Sequence, residues 1–214
     1  MVVTDSLADG IRQGSLELGL KLVDSQQKKF SNYIGLLEKW NRVYNLTAIT
    51  KPQLMLSHHL MDSLVVGQYL SPEQCSILDV GSGAGLPGVP LSILFPEKNF
   101  TLLDSNGKKT RFMKQTIIEL SLHNCAVVNQ RLEHFQTEQK YDVIISRAFS
   151  NITDFVNGAR HLLKPQGQFY AMKGLLPNEE LKVLPAQTKL VALEQLKVPF
   201  LDEQRHLVIL GTDF

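Results

Sequence analysis

Apolar residues change their spacing along this chain near residue 76. Before that point they recur every three or four positions. Phe30, Tyr33, Ile34, Leu37, Trp40 and Tyr44 form one stripe over residues 24–44, with Lys28, Lys39 and Arg42 roughly opposite. That period predicts an amphipathic helix packed by its apolar face on the rest of the protein. Asp24 or Ser25 is of the type that caps such a helix. Pro52 precedes a second helical segment over 53–70, which Ser71-Pro72 closes. From Ser76 onward, short apolar runs at 77–80, 100–103, 126–128, 143–145, 169–172 and 207–210 alternate with helical stretches. Such alternation predicts βαβ units and a parallel sheet with helices on both faces. The end reads differently: LKVPF (196–200), a polar LDEQ, then RHLVIL predict an antiparallel hairpin. The expected fold is therefore α/β: a mostly parallel doubly wound sheet with an antiparallel C-terminal strand. A helical extension, residues 1–72, precedes and packs on a core of 73–214.

Composition narrows the function classes. The 214 residues carry 22 Lys and Arg against 21 Asp and Glu, a net charge of +1. That balance excludes a histone-like polyanion binder but allows a local basic patch. Hydrophobic content of 43% and charged content of 20% are those of a globular protein with a real core. Cys75 and Cys125 belong to no CxxC or Cys/His cluster, which excludes a structural zinc site and predicts free thiols in a reducing cytosol. The N-terminal MVVTDSLADG has no signal-peptide pattern, and no apolar run is long enough to span a membrane.

The stretch ILDVGSGAGLPGVPLSIL (77–94) carries the most chemistry. A hydrophobic strand bearing Asp79 runs into Gly81, Gly83 and Gly85, then Gly88 and an apolar helix. Glycines let the backbone take positive φ and approach a ligand closely, and the following helix start offers free N–H groups. Two ligands compete. Gly83, Gly85 and Gly88 satisfy the G-x-G-x-x-G dinucleotide pattern. Asp79, Gly81, Gly83 and Gly85 satisfy instead the D-x-G-x-G-x-G pattern of S-adenosylmethionine (AdoMet) enzymes, whose ligand has an ammonium where a dinucleotide has a pyrophosphate. Pro87 stands where the dinucleotide reading wants a helix N–H. The second strand, FTLLD, ends at Asp104, a carboxylate placed to accept ribose hydroxyls in either case.

Basic groups gather at the same edge. Arg147 follows the fourth strand and Lys173 the fifth, and the helix after Asp104 has Lys108, Arg111 and Lys114 on one side. Together they predict a contact for a phosphate backbone on an otherwise neutral protein. The fourth strand leads into SRAF, with neither the Asn/Asp-Pro-Pro-aromatic motif of exocyclic-amine methyltransferases nor a cysteine nucleophile. His58, His59 and Asp62 read as hydrogen-bonding groups of a packed helix, and no metal site is expected.

Joined with NRVYNLTAI (41–49), HHLMDSL (58–64), LDVGSGAGLPGVPLSILFP (78–96), LLDSNGKKTRFM (102–113) and ISRAF (145–149), the chain resembles the bacterial RsmG (GidB) methyltransferases over nearly its whole length. The resemblance implies a Rossmann-like class I AdoMet methyltransferase, cytoplasmic, that methylates N7 of a guanine in 16S rRNA of the small subunit. The modest basic patch and the closed major groove of A-form RNA lead us to expect that rRNA within a small ribosomal subunit or assembly intermediate. It adds Leu86, Leu132 and Glu133 to Gly81 and Arg147 as cofactor contacts, and Lys109 to the RNA-facing cations. The family usually has Arg-His before its DSL element and often Lys-Arg after the second strand. Here they are His58-His59 and Lys108-Lys109, which removes an Arg-specific bidentate contact. Guanine N7 has a lone pair and no proton, so no general base is expected, and Arg147, Phe149 and Lys173 are candidates to position the base. A small-molecule methyltransferase, a nicotinamide-dependent oxidoreductase and a non-enzymatic nucleotide module are the alternatives.

Overall fold

The computed structural model describes residues 2–212, with side chains from residue 7 onward. Two helices open it, α1 (Val2–Glu17) and α2 (Asp24–Tyr44). α1 was not expected: its inner face sets Ile11 beside Gly14 and buried Ser15, so no apolar stripe marks it. In α2, Phe30, Tyr33, Ile34 and Leu37 are buried as the pattern predicted, and Trp40 stacks at 5.1 Å on Tyr44 and 5.7 Å from Phe112. Neither Asp24 nor Ser25 caps α2. Gln26 does: its Oε1 accepts the Val23 N–H, while its Nε2 donates to the Ile93 and Leu94 carbonyls. The cap thus also fastens α2 to the sheet domain's first crossover helix.

The 53–70 segment is helical but not uniform. It runs through α3 (Pro52–Met55), a π stretch (Leu56–Met61), α4 (Asp62–Leu64) and a 3-10 stretch (Val65–Tyr69). Side chains take backbone carbonyls here: Ser63 Oγ donates to His59 O and Arg147 Nη1 to His58 O. Inserted donors of this kind loosen an i→i−4 ladder.

The remainder is β1 (Ser76–Val80), α5 (Gly88–Leu94), β2 (Asn99–Asp104), α6 (Gly107–Glu119), β3 (Cys125–Asn129), β4 (Tyr141–Ser146), α7 (Ile152–Ala159), β5 (Leu163–Lys173), α8 (Asn178–Leu181), β6 (Thr188–Gln195) and β7 (His206–Thr212). The strands form one sheet of order β3-β2-β1-β4-β5-β7-β6. β1 to β5 run parallel, and β7 is antiparallel to β5 and β6. Alternate residues of each strand feed two apolar layers. Ile77, Leu102, Val143, Ile145 and Tyr170 join the helices before β1 together with α5 and α6. Leu78, Leu103, Ile144 and Phe169 join Phe155 and Val156 of α7 on the other face. The period of two therefore decides which helix each strand residue meets.

The expected hairpin is real but its first strand is misplaced. LKVPF is not a strand; the partner of β7 is β6, Thr188–Gln195. Leu196 and Val198 are apolar because they are buried in the first layer, and Pro199 with Phe200 at φ +64° ends any extended run. β6 escaped notice because it is an edge strand whose outward residues, Leu190, Val191 and Leu193, are themselves apolar, with a bulge between Leu190 and Ala192.

Tyr33 links the extension to the glycine turn: its buried hydroxyl donates to the Ala84 carbonyl at 2.8 Å. Burial pushes that hydroxyl far above the ordinary tyrosine range, so it stays a donor. Tyr33→Phe removes the donor and leaves a carbonyl unpaired. Chemical denaturation should show a loss of about 1–3 kcal/mol with an unchanged denaturant slope.

Candidate methyl-transfer site

The strand order reverses between β1 and β4, and the ends of those strands carry the glycine turn and Arg147. That is where open α/β sheets bind ligands. Gly81, Gly83 and Gly85 have φ of +70°, +60° and +84°. At Gly81 the constraint is doubled, because a Cβ would stand 2.7 Å from the Ala148 Cβ. The turns after β1 and β4 touch there, with no room for a side chain.

Three side chains tie the turn down. Asp79 Oδ2 accepts the Gly88 N–H at 2.8 Å, Ser82 Oγ donates to the Asp79 carbonyl, and Asp104 Oδ2 accepts the Gly83 N–H at 2.8 Å. The other Asp104 oxygen accepts the Asn106 N–H. Asn106 in turn caps α6, its Oδ1 accepting the Lys108 and Lys109 N–H groups.

Two clefts adjoin at this turn. One, of about 420 Å³, is walled by Gly81, Asp104, Leu132, Glu133 and Phe149 among others. A smaller one, of about 190 Å³, is walled by Leu46, Thr47, Gly81, Gly83, Leu86 and Arg147. Gly81, Lys109 and Ala148 belong to both. A third cleft, of about 350 Å³, shares Arg147 with the second and is lined also by Ile49, His58, Asp62, Lys173, Arg205 and His206.

Most residues expected at the site are gathered here, but their parts differ. Asp79 lines neither of the first two clefts: it is wholly buried beneath the turn, with Oδ1 unpartnered. Gly85 also faces inward, toward Val89 and Met113. Phe149 sits in the first cleft, its ring 5.2 Å from that of Phe155, and not with Arg147 and Lys173 in the third. Lys173 is not free to meet a phosphate. Its ammonium binds both Glu180 oxygens at 3.0 and 2.9 Å and the Ser150 carbonyl at 2.8 Å, with the side chain 10% exposed. Lys108, Arg111 and Lys114 are exposed along α6, and Lys109 is half-buried against the clefts.

Arg205 and His206 were missed, though their position was accessible to reasoning. β7 runs antiparallel to β5, and His206 pairs with Lys173. The start of β7 therefore lies at the carboxyl edge of the parallel strands. Arg147 Nη1 donates to Asp62 Oδ2 at 3.0 Å and Arg205 Nε to Asp62 Oδ1 at 3.1 Å. Asp62 is thus held between two guanidinium groups. Among the described residues no three His, Cys, Asp or Glu side chains are grouped to hold a metal ion, and no helix is long and apolar enough to cross a membrane.

Taken together, a seven-stranded sheet of this order with a glycine turn at its reversal is the Rossmann-like fold common among methyltransferases. Solved structures agree. NodS, an N-methyltransferase from Bradyrhizobium japonicum WM9 in complex with S-adenosyl-L-homocysteine, shares the fold with a TM-score of 0.59 at 14% identity, over 84% of this chain and 99% of that one. TrmN from Thermus thermophilus shares it with a TM-score of 0.57 at 18% identity, over 73% of this chain and 53% of that one. The family described as GidB, rRNA small subunit methyltransferase G, matches residues 26–208, and the chain belongs to it. Among its relatives, the ribosomal RNA small subunit methyltransferase G of Ectopseudomonas mendocina is 50% identical over 98% of both chains. That of Pseudomonas aeruginosa is 50% identical over 97% of both.

Two buried groups near the turn titrate in opposition. Burial pushes the Asp79 carboxyl from 3.8 up to about 7, against the pull of the Gly88 N–H. Burial, with the charge of Arg147, pushes His59 from 6.5 down to about 4. Its Nδ1 faces the His58 carbonyl at 3.0 Å and its Nε2 the Thr47 hydroxyl at 2.9 Å, which assigns the proton to Nδ1. The raised Asp79 contributes stability that is full below 3.8 and lost as pH rises through about 7. The lowered His59 contributes stability that is full above 6.5 and lost as pH falls through about 4. The two slopes cancel between roughly pH 4 and 6.5. In Asp79→Asn, stability should rise with pH across that window; in His59→Gln it should fall. Urea melts at several pH values would refute the assignment if both variants merely paralleled the wild type.

Proposed function

We propose that this protein is a cytoplasmic enzyme that transfers a methyl group from AdoMet to N7 of a guanine in 16S rRNA. The observation that carries the reading is the pair of clefts joined at Gly81, Lys109 and Ala148 on the sheet's reversal point, in a chain of this family. The residues fit the cofactor. Gly83 is a cradle that a Cβ would fill, since nothing lies closer than 3.9 Å to where it would stand, while Gly81 lets the two turns meet. Asp104 stands on the wall of the larger cleft with lone pairs for ribose hydroxyls, and Leu132 and Phe149 offer apolar surface to a purine. Gly81, Leu86 and Arg147 would hold the amino-acid end. Arg147 has the means: only its Nη1 is engaged, and among the described residues Nε and Nη2 bear no partner. Asp79 serves from beneath, by holding the turn. When bound, AdoMet supplies an electrophilic methyl group on a sulfonium.

The protein has little proton chemistry to perform. N7 carries an in-plane lone pair and loses no proton, so no base is needed, and His59 and Asp62 beside Arg147 are committed to Thr47 and to two arginines. Its task is to hold guanine in line, an effect worth up to ~7–11 kcal/mol where alignment is complete. N7 lies in the major groove, which in A-form RNA is deep and narrow, so the guanine must sit in a loop or be splayed out. A nearly neutral protein with exposed Lys108, Arg111 and Lys114 on one helix supplies modest backbone attraction, so we assign recognition to the shape of a small subunit or assembly intermediate.

Transfer of tritiated methyl from AdoMet, followed by mapping of the modified base, tests the reading. Label is expected at a guanine N7 of small-subunit RNA, more efficiently in subunits than in protein-free RNA. Equal labelling of protein-free RNA would remove the assembled substrate, and no label in any RNA would remove the function. Asp104→Ala should weaken AdoMet binding about 10- to 100-fold by calorimetry, the scale of hydrogen bonds to a charged group.

A further inference from the structure

The third cleft meets the smaller of the two clefts proposed for the cofactor at Arg147, the one residue they share. Its volume, about 350 Å³, is within the range of sites for small molecules. Its charge is arranged around Asp62, whose side chain is 2% exposed and whose two oxygens each hold one guanidinium, Arg147 from β4's end and Arg205 from β7's start. Lys173 adds its charge to this wall but is neutralised by Glu180. Arg147 and Arg205 together therefore exceed the charge of Asp62. Arg205 has two further partners: Nη1 donates to the Gln204 carbonyl at 2.8 Å and Nη2 to Glu203 at 2.9 Å, a carboxylate that is 60% exposed and 3.5 Å from His58 Nε2, so a surface pair of the kind that solvent weakens. His206 adds an acceptor: its Nδ1 meets the Gly174 carbonyl at 3.1 Å, which assigns the proton to Nδ1 and leaves Nε2 with a lone pair.

Guanine N7 constrains how such groups are used. An arginine that reads guanine in its common bidentate way covers O6 and N7, the atom that must stay open. Guanidinium groups beside the reacting base are thus better employed on phosphate, which they bind by the same fork. An acceptor such as His206 Nε2 suits guanine's N1–H and N2–H edge, which is remote from N7.

Resting on the function proposed above, we infer that this cleft seats the acceptor nucleotide, with Arg205 on a phosphate of the RNA strand. Asp62 is a positioning residue that fixes Arg205 for the RNA and Arg147 for the cofactor through one carboxylate. Arg205 exchanges the exposed Glu203 for phosphate on binding, and Asp62 keeps the guanidinium aimed while it does so.

The full chain separates these roles, with AdoMet affinity read by calorimetry and small-subunit methylation by tritium. Arg205→Ala should leave AdoMet binding within about twofold and lower kcat/KM for the subunit roughly 10- to 100-fold, as expected for one lost charge-assisted contact. Arg205→Lys, which keeps the charge without the fork, should fall between and serves if the truncation lowers the melting temperature. Asp62→Asn should weaken both AdoMet binding and use of the subunit. Wild-type kcat/KM for the subunit in Arg205→Ala would overturn the inference, as would an equal loss of AdoMet binding and subunit use in that variant. A wild-type protein that binds AdoMet but methylates no RNA would overturn the function itself, and this assignment with it.

Discussion

The hydrogen bond from the Gly88 N–H to the wholly buried Asp79 is the joint on which the site hangs. A carboxyl taken out of water must find donors or give up its charge. Asp79 has one backbone donor and one unpartnered oxygen, which is why its pKa is pushed up to about 7. The arrangement is dense. A Cβ on Gly88 would lie 2.2 Å from Leu102 Cδ2 and 2.8 Å from Asp79 Oδ2, so only glycine lets α5 start this close to the strands. With α5 pinned there, the chain between Val80 and Gly88 has to fold back tightly, and positive-φ glycines are what permit it. Tyr33 and Asp104 then hold that fold from the helical extension and from β2. The extension is therefore part of the turn's support and not a separate attachment.

Charge follows the same economy. Near the clefts the cations are tethered: Arg147 and Arg205 to Asp62, Lys173 to Glu180. Buried ion pairs of this sort contribute little net stability, because desolvation offsets attraction, but losing one partner costs about 3–5 kcal/mol. Their effect is to fix direction. Lys108, Arg111 and Lys114 of α6, in contrast, are exposed, suited to diffuse attraction to a phosphate backbone. The near-zero net charge thus divides into aimed charges within and loose ones outside.

How legible this was in the sequence depends on whether the cause was local. Strand positions, the glycine turn and the stripe of α2 follow from spacing and were readable, because burial on a sheet or helix face imposes a period. The first hairpin strand was misplaced, since β6 exposes apolar residues and LKVPF is apolar for packing reasons. The cap of α2 was misassigned because Gln26 acts through contacts with Ile93 and Leu94, far along the chain. Lys173 was read as a free cation for want of any sign that Glu180 folds back on it. The pairing of Asp62 with Arg205 spans 143 residues, and no pattern in either segment announces it. Only the direction of β7 would have placed Arg205 at the right edge.

The direction of β7 bears on how the fold makes a transferase. In a purely parallel sheet each strand delivers its last residues to the binding edge. Turning one strand around delivers first residues there as well, so Arg205 and His206 arrive beside Lys173 through the β5–β7 register. The ends of parallel strands β1 to β4 supply most of the groups around the first two clefts, and the β5–β7 pair, with His58, His59 and Asp62 of the helical extension, lines the third. Arg147 stands at the boundary because β4 lies between the two sets in the sheet. Two ligands brought to one boundary are what an in-line transfer needs. A reaction that moves no proton asks for little more than that boundary to be rigid.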